Sequence, residues 1–144
     1  MPVCRRAVGR WGVLSGLCLL VPLLGPVSGC RKPDERPKLA AVQGLATDLG
    51  VAKRLKQRRG CEALVAAQRD VLLCDGMLQT LLHYAPGFAG SQVTLGGRSS
   101  GGDGAPGRPV TLPVRYKGPL GEGALDVQLQ LEEGRWRIAG LLPR

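Results

Sequence analysis

Asparagine is absent from this 144-residue chain, histidine occurs once, as His83, and aromatic residues make up only 3% of it. The missing asparagine accompanies an abundance of Gly, Ala, Arg and Leu, a bias of the kind a GC-rich genome produces, and carries no functional message. The shortage of histidine does carry one. With a single His and no C-x-x-C or C-x-x-C-H spacing among five cysteines, a metal or haem site has almost no ligands to draw on, and no cofactor is expected. His83 stands beside Tyr84 near a helix end, with no carboxylate close in sequence to orient it, which suits a packed or capping residue better than a general base. Aromatics are also missing from the densest cationic run, Lys53-Arg54-Leu55-Lys56-Gln57-Arg58-Arg59. At about 100° per residue its cations spread around a helix, and nothing is interleaved for base stacking, so nucleic acid is not the expected partner. Their position in the last turns before Gly60 suits the helix dipole.

No Asp or Glu occurs in residues 1–29. Arg5, Arg6 and Arg10 form a positive start, and residues 11–24 are apolar and uncharged, interrupted by Pro22. A membrane-spanning helix needs about 20 apolar residues, and this stretch is shorter. It ends in Val27-Ser28-Gly29-Cys30, a branched apolar residue followed by two small ones and a cysteine. Here the chain resembles a bacterial lipoprotein precursor: a signal peptide over 1–29, cut before Cys30, with diacylglyceryl and acyl chains such as palmitate on that residue. The resemblance implies a membrane partner through the lipid anchor. Arg31, where Asp commonly retains such proteins at the inner membrane, implies export to the periplasmic face of the outer membrane, with the inner membrane as the alternative.

Cleavage would leave 115 of the 144 residues, enough for one small domain, with seventeen basic residues against eleven acidic. That moderate positive excess favours anionic surfaces without specifying one. Residues 30–38, charged and carrying Pro33 and Pro37, read as the acylated Cys and an extended tether; the domain would be 39–144. Apolar residues recur at three- to four-residue spacing from Leu39 to Leu55; Leu64, Val65, Gln68, Val71 and Leu72 give a second amphipathic set, Asp75-Gly76 interrupts it before Met77 to Tyr84, and Pro86-Gly87 ends the helical half. Cys61 and Cys74 remain as an even pair in an oxidising compartment, which favours a disulfide. A continuous helix between them would hold their Cα atoms about 20 Å apart, and a bridge tolerates roughly 7 Å. The helix-forming composition of 62–73 therefore predicts an unbroken helix and two unbonded thiols.

The second half alternates. Residues 92–95 are a short strand; Val110, Leu112, Val114 and Tyr116 mark a second, Leu125, Val127, Leu129 and Leu131 a third, Trp136 and Ile138 a fourth. Pro113 predicts a free edge or a bulge in its strand. The Gly-rich segment 96–109 buries no apolar area and reads as a mobile loop. The fold class is α+β: N-terminal helices packed on a small curved antiparallel sheet. The closing run from Val127 to Leu141, an alternating strand turning at Glu-Gly into Arg-Trp-Arg-Ile, resembles the last hairpin of NTF2-like and cystatin-like envelope domains, a fold that implies no particular activity.

Two motif matches fail on context. Gly97-Arg98-Ser99-Ser100-Gly101 fits G-x-S-x-G, but glycines follow where a nucleophile elbow needs a helix, and the His precedes the Ser. Residues 102–107 fit G-x-G-x-x-G without a helix N-terminus behind them. Arg115, Lys117, Arg135 and Arg137 share the outward side of the sheet and form a candidate cationic partner patch. The inward strand positions are apolar apart from Tyr116, leaving few acid or base groups, so no catalytic residues are assigned. The expected function is a membrane-anchored, non-enzymatic interaction or scaffold domain contacting an envelope protein or an anionic polymer. A small-ligand carrier with a cleft between sheet and helices is the alternative.

Overall fold

The computed structural model describes residues 33–51 and 60–144. Their fold is α+β, with helices on one face of a five-stranded antiparallel sheet. The elements are α1 (Arg36–Gly50), a helical turn at 60–62, a 3₁₀ turn (Ala66–Gln68), α2 (Val71–Tyr84) and a second 3₁₀ turn (Pro86–Phe88). Strands β1 (Gln92–Leu95), β2 (Ser100–Gly101), β3 (Val110–Gly118), β4 (Gly121–Glu132) and β5 (Arg135–Pro143) follow.

Period-two alternation sets the sheet. Val110, Leu112, Val114 and Tyr116 of β3 and Leu125, Val127 and Leu129 of β4 are buried on one face, while their neighbours in sequence are not. The two strands pair in register from Val110↔Leu129 to Gly118↔Gly121. The β4–β5 turn places Glu133 at φ 50° and Gly134 at φ 74°, the two left-handed positions that match the twist of a two-residue hairpin. β5 is longer than alternation alone suggests. Leu129 pairs with Ile138 but Gln128 with Gly140, so Ala139 is the extra residue of a bulge, and beyond it the period resumes with Leu141 facing inward.

Pro113 sits in a gap. β1 ends opposite Val114 and β2 begins opposite Thr111, so the Pro113 nitrogen faces the break, where no N–H is required. Both sheet edges are partly capped. On β1, the Gln43 amide accepts from Val93 N–H (2.8 Å) and donates to the Ser91 carbonyl (2.9 Å), imitating a further strand. On β5, Ile138 N–H donates to the Ala63 carbonyl, its carbonyl accepts from Val65 N–H, and Gln68 Nε2 donates to the Ala139 carbonyl (2.7 Å). These contacts occupy groups that would otherwise template aggregation. Val42, Leu45, Ala46 and Leu49 of α1, Cys74, Leu78 and Leu81 of α2, and Phe88 cover the apolar face.

Four expectations require correction. The tether does not reach residue 38: α1 starts at Arg36, and Lys38 is buried. Pro37 lies in the first helical turn, where the absent N–H has no intrahelical partner to lose, so it starts the helix instead of breaking it. Residues 62–73 are not one helix. The chain leaves helical geometry at Val65 (ψ 150°), makes the 3₁₀ turn, and restarts α2 at Asp70, whose side chain accepts from Leu72 N–H (3.1 Å). The chain thus doubles back, Cys61 and Cys74 come to a Cα separation of 5.7 Å, and they form a disulfide. The interruption is decided by tertiary contacts, because Ala63 to Gln68 spend their backbone and amide groups on β5.

The Gly-rich segment is likewise ordered. Gly96 N–H donates to the Pro113 carbonyl, Gly104 N–H to Arg108, Leu131 N–H to the Gly104 carbonyl, and Arg108 pairs with Asp103. Gly104 is buried at φ 87°, and a Cβ there would lie 2.6 Å from the Trp136 ring. Gly104→Ala should therefore cost more than about 2 kcal/mol, because it combines left-handed strain with an aromatic clash. A variant unfolding at the wild-type denaturant midpoint would show the segment to be dispensable.

The bridge closes a 13-residue separation, for which constraint of the unfolded chain gives about 3 kcal/mol. Replacing both cysteines by Ala should lower unfolding free energy by that order. A non-reducing peptide map of wild type should show the 61 and 74 peptides linked; free thiols at both positions would refute the connection.

Candidate functional site

Where the N-terminus of α1 meets the Gly-rich segment, four side chains converge that the strand pattern does not reveal. Glu35 precedes α1 and Lys38 lies in its first turn, so the three-residue spacing puts both on one side. Lys38 Nζ donates to Glu35 Oε2 at 2.9 Å and to Ser99 Oγ at 3.1 Å. Glu35 Oε1 accepts from the Ser99 hydroxyl at 2.6 Å and from the Ser99 N–H at 3.1 Å. The ammonium also stands 5.2 Å from the centroid of the Trp136 ring, a cation–π arrangement. With side chains 8% and 13% exposed, Lys38 and Glu35 form a buried ion pair whose remaining valences are filled.

A nucleophilic serine requires a neighbouring neutral base that accepts its proton. Lys38 donates to both partners, so it is spent as a cation. Glu35 accepts the Ser99 proton, but its basicity is low. Burial alone would push its carboxyl up, yet the hydrogen bonds from the Ser99 hydroxyl, the Lys38 ammonium and the Ser99 N–H together outweigh that and hold it below the ordinary carboxylate value. The arrangement is a clasp fastening the segment that contains Ser99 to α1, and Trp136 and Gly104 complete it from below. Among the described residues, no group of three His, Cys, Asp or Glu side chains is placed to hold a metal ion.

The outward face of the sheet is the second candidate. Gln92, Thr94, Arg115, Lys117, Glu122 and Arg135 are exposed there, and Thr111, Gln128, Gln130 and Arg137 are half-buried; none of these positions is fully covered. The four basic residues singled out by alternation share this face, but they do not gather into one patch. Arg115 and Lys117 lie opposite Ala124 and Glu122, whereas Arg135 and Arg137 lie opposite Glu132 and Gln130. Six residue steps along β4, from Ala124 to Gln130, separate the two pairs, roughly 20 Å at 3.3 Å per residue. Alternation fixes the face, and only the register fixes the distance.

The pairs also differ in availability. Arg115 and Lys117 border a shallow hollow of about 510 Å³ shared with Gln92, Thr94, Glu122 and Ala124. Arg137 is partly committed, donating to the Glu62 carbonyl at 2.6 Å. His83 is exposed in the last turn of α2, with its ring edge-on to Tyr84 at 5.0 Å. Cys30 and Arg31, together with the whole cationic run Lys53 to Arg59, lie outside the described residues. No family model matches the chain, and no curated protein or solved structure matches it either.

Because the Glu35 value is depressed in the fold, its contribution to stability is complete above the ordinary carboxylate value of 4.5 and is lost as pH falls through the lowered one. Glu35→Gln should destabilise the protein by about 1–3 kcal/mol at pH 7, and the gap to wild type should narrow below pH ~4.5. Parallel melting curves from pH 7 to 3 measure this; a gap independent of pH would show that the carboxylate charge is not what the clasp uses.

Proposed function

We propose that the chain is an envelope lipoprotein, cut before Cys30, acylated there and sent by Arg31 to the outer membrane, whose domain binds a partner without catalysis. The observation that carries the binding half of this reading is the combination of partly capped edges and an open face. Gln43 and the 63–68 segment cap part of each edge, at Ser91 and Val93 and at Ile138 and Ala139, while the four-strand outer face has no buried position along it. A partner therefore meets side chains: the Arg115–Lys117 pair at one end and the glutamine amides of Gln128 and Gln130 toward the other. An anionic segment of an envelope protein or polymer fits the first, with Glu122 setting the limit of the positive region.

The carrier alternative draws less support. Its cleft would lie between sheet and helices, and Phe88, Leu45, Leu49, Leu112, Leu125, Leu129 and Ile138 fill that layer, each almost fully buried. The anchoring half of the proposal comes from the Arg-flanked apolar start and the Val-Ser-Gly-Cys that ends it. Cys30→Ser should abolish the acyl mass and shift the protein out of the detergent phase, and Arg31→Asp should move it toward the inner-membrane fraction. A wild-type N-terminus that carries no lipid, or detergent partitioning unchanged by Cys30→Ser, would defeat the anchor.

A further inference from the structure

The first turn of α2 exposes three consecutive apolar side chains, Val71 at 77%, Leu72 at 83% and Leu73 at 60%. Solitary exposed leucines are ordinary on a protein surface; a run of three at a helix start is not, and needs a partner or a function. The cause is geometric. Asp70 caps the helix and Cys74 is the first α2 residue to reach the core, so the turn between them projects beyond it. The disulfide from Cys74 to Cys61 holds that turn against the chain.

Its location in the fold is well defined. Arg69, just before the turn, pairs with Glu132 at the tip of the β4–β5 hairpin, and Ala66 N–H donates to the same carboxylate. α1 begins at the same end, where Lys38 lies over Trp136, the second residue of β5. Leu131, 43% exposed beside Trp136, adds a fourth apolar side chain there. The opposite end holds the C-termini of both helices, with Gly90 N–H donating to Ala46 and Gly87 against Gly121. The apolar turn and the start of α1 thus occupy one end of the sheet.

We propose that Val71, Leu72 and Leu73 form a wedge that inserts into the lipid bilayer to which Cys30 is attached. This rests on the anchor reading above. Six residue steps join Cys30 to Arg36, at most about 20 Å of extended chain, so an acylated Cys30 keeps this end of the domain within that reach of the headgroups. Apolar side chains of a surface-bound element enter the headgroup and acyl boundary by about 5–10 Å, and a projecting helical turn supplies that depth. Charge at this end nearly balances: Arg36 is paired with Asp34, Arg69 with Glu132 and Arg108 with Asp103, and the exposed Arg98 and Arg135 are matched in number by the exposed Asp70 and Glu133. Apolar burial, not headgroup attraction, is the binding force, and insertion should be insensitive to salt.

The test uses the full acylated protein reconstituted in phosphatidylethanolamine–phosphatidylglycerol vesicles containing lipids spin-labelled on the acyl chain. Leu72→Trp should add an emission component that the label quenches roughly twofold or more, equally at low and high salt, over the Trp136 background. Leu120→Trp, at a leucine 71% exposed in the β3–β4 turn at the other end, should stay unquenched. Equal quenching at 72 and 120 overturns the wedge, as does a blue-shifted but unquenched Trp at 72 with the protein dimeric, since a second copy then covers the turn. Intact mass of the same sample reports the anchor separately. Acylated protein with Trp unquenched at 72 refutes the wedge alone; a mass without acyl chains refutes the anchor whatever the quenching.

Discussion

Everything in this domain is placed relative to one apolar face. Leu112, Val114, Leu125, Val127, Leu129 and Ile138 stand on the same side of three neighbouring strands, and each is worth about 1.5–3 kcal/mol when removed from water. No sheet so short can leave that face wet, so both helices and Phe88 are drawn to one side. The outer face is left uncovered for the same reason: apart from Pro113 and Leu142 its positions carry polar or small side chains, and burying it would return little. Fold and binding surface thus have one cause, the strict alternation of β3 and β4.

That alternation was legible, and so was most of the sheet. β3, β4 and the Glu133-Gly134 turn follow from period two and from the demand for left-handed residues in a tight hairpin. The end of β5 was hidden because Ala139 is an inserted residue, and a bulge breaks the phase that a periodic reading depends on. The disulfide was hidden for a related reason. Helix propensity over residues 62–73 is local, whereas Ala63, Val65 and Gln68 are taken by the edge of β5, about seventy residues later in the chain. A propensity term of a few tenths of a kcal/mol per residue yields to backbone hydrogen bonds and a covalent bridge. Asp70 was the available signal, a capping residue in the middle of an apparent helix.

The clasp is hidden in the sequence because a proline usually ends a helix. Glu35-Arg36-Pro37-Lys38 has Pro in the first helical turn and acid and base three apart, a pattern that starts a helix and pairs its charges. Ser99 could not be connected to it from sequence, being sixty-one residues from Lys38. The same contact explains why a segment rich in glycine is ordered. Glycine supplies φ values that other residues resist, at Gly101, Gly104 and Gly107, and the surrounding hydrogen bonds offset the entropy that ordering them costs. Composition reports the freedom of such a segment; only its contacts report whether the freedom is used.

The two ends of the sheet differ in kind, and the difference gives the domain a direction. One end has the start of α1, the clasp, the hairpin tip and the apolar turn of α2. The other presents Arg115 and Lys117 over a shallow hollow, about six residues of β4 away. If the first end is held at a bilayer by acyl chains and a wedge, the second is the end that faces outward, and its paired cations meet a partner before the membrane does. The clasp then has a mechanical role: it fixes the first turn of α1, where the tether joins, to the sheet through Ser99 and Trp136. A pull on the anchor would be transmitted into the core through a buried ion pair, with no freely hinged helix end between them.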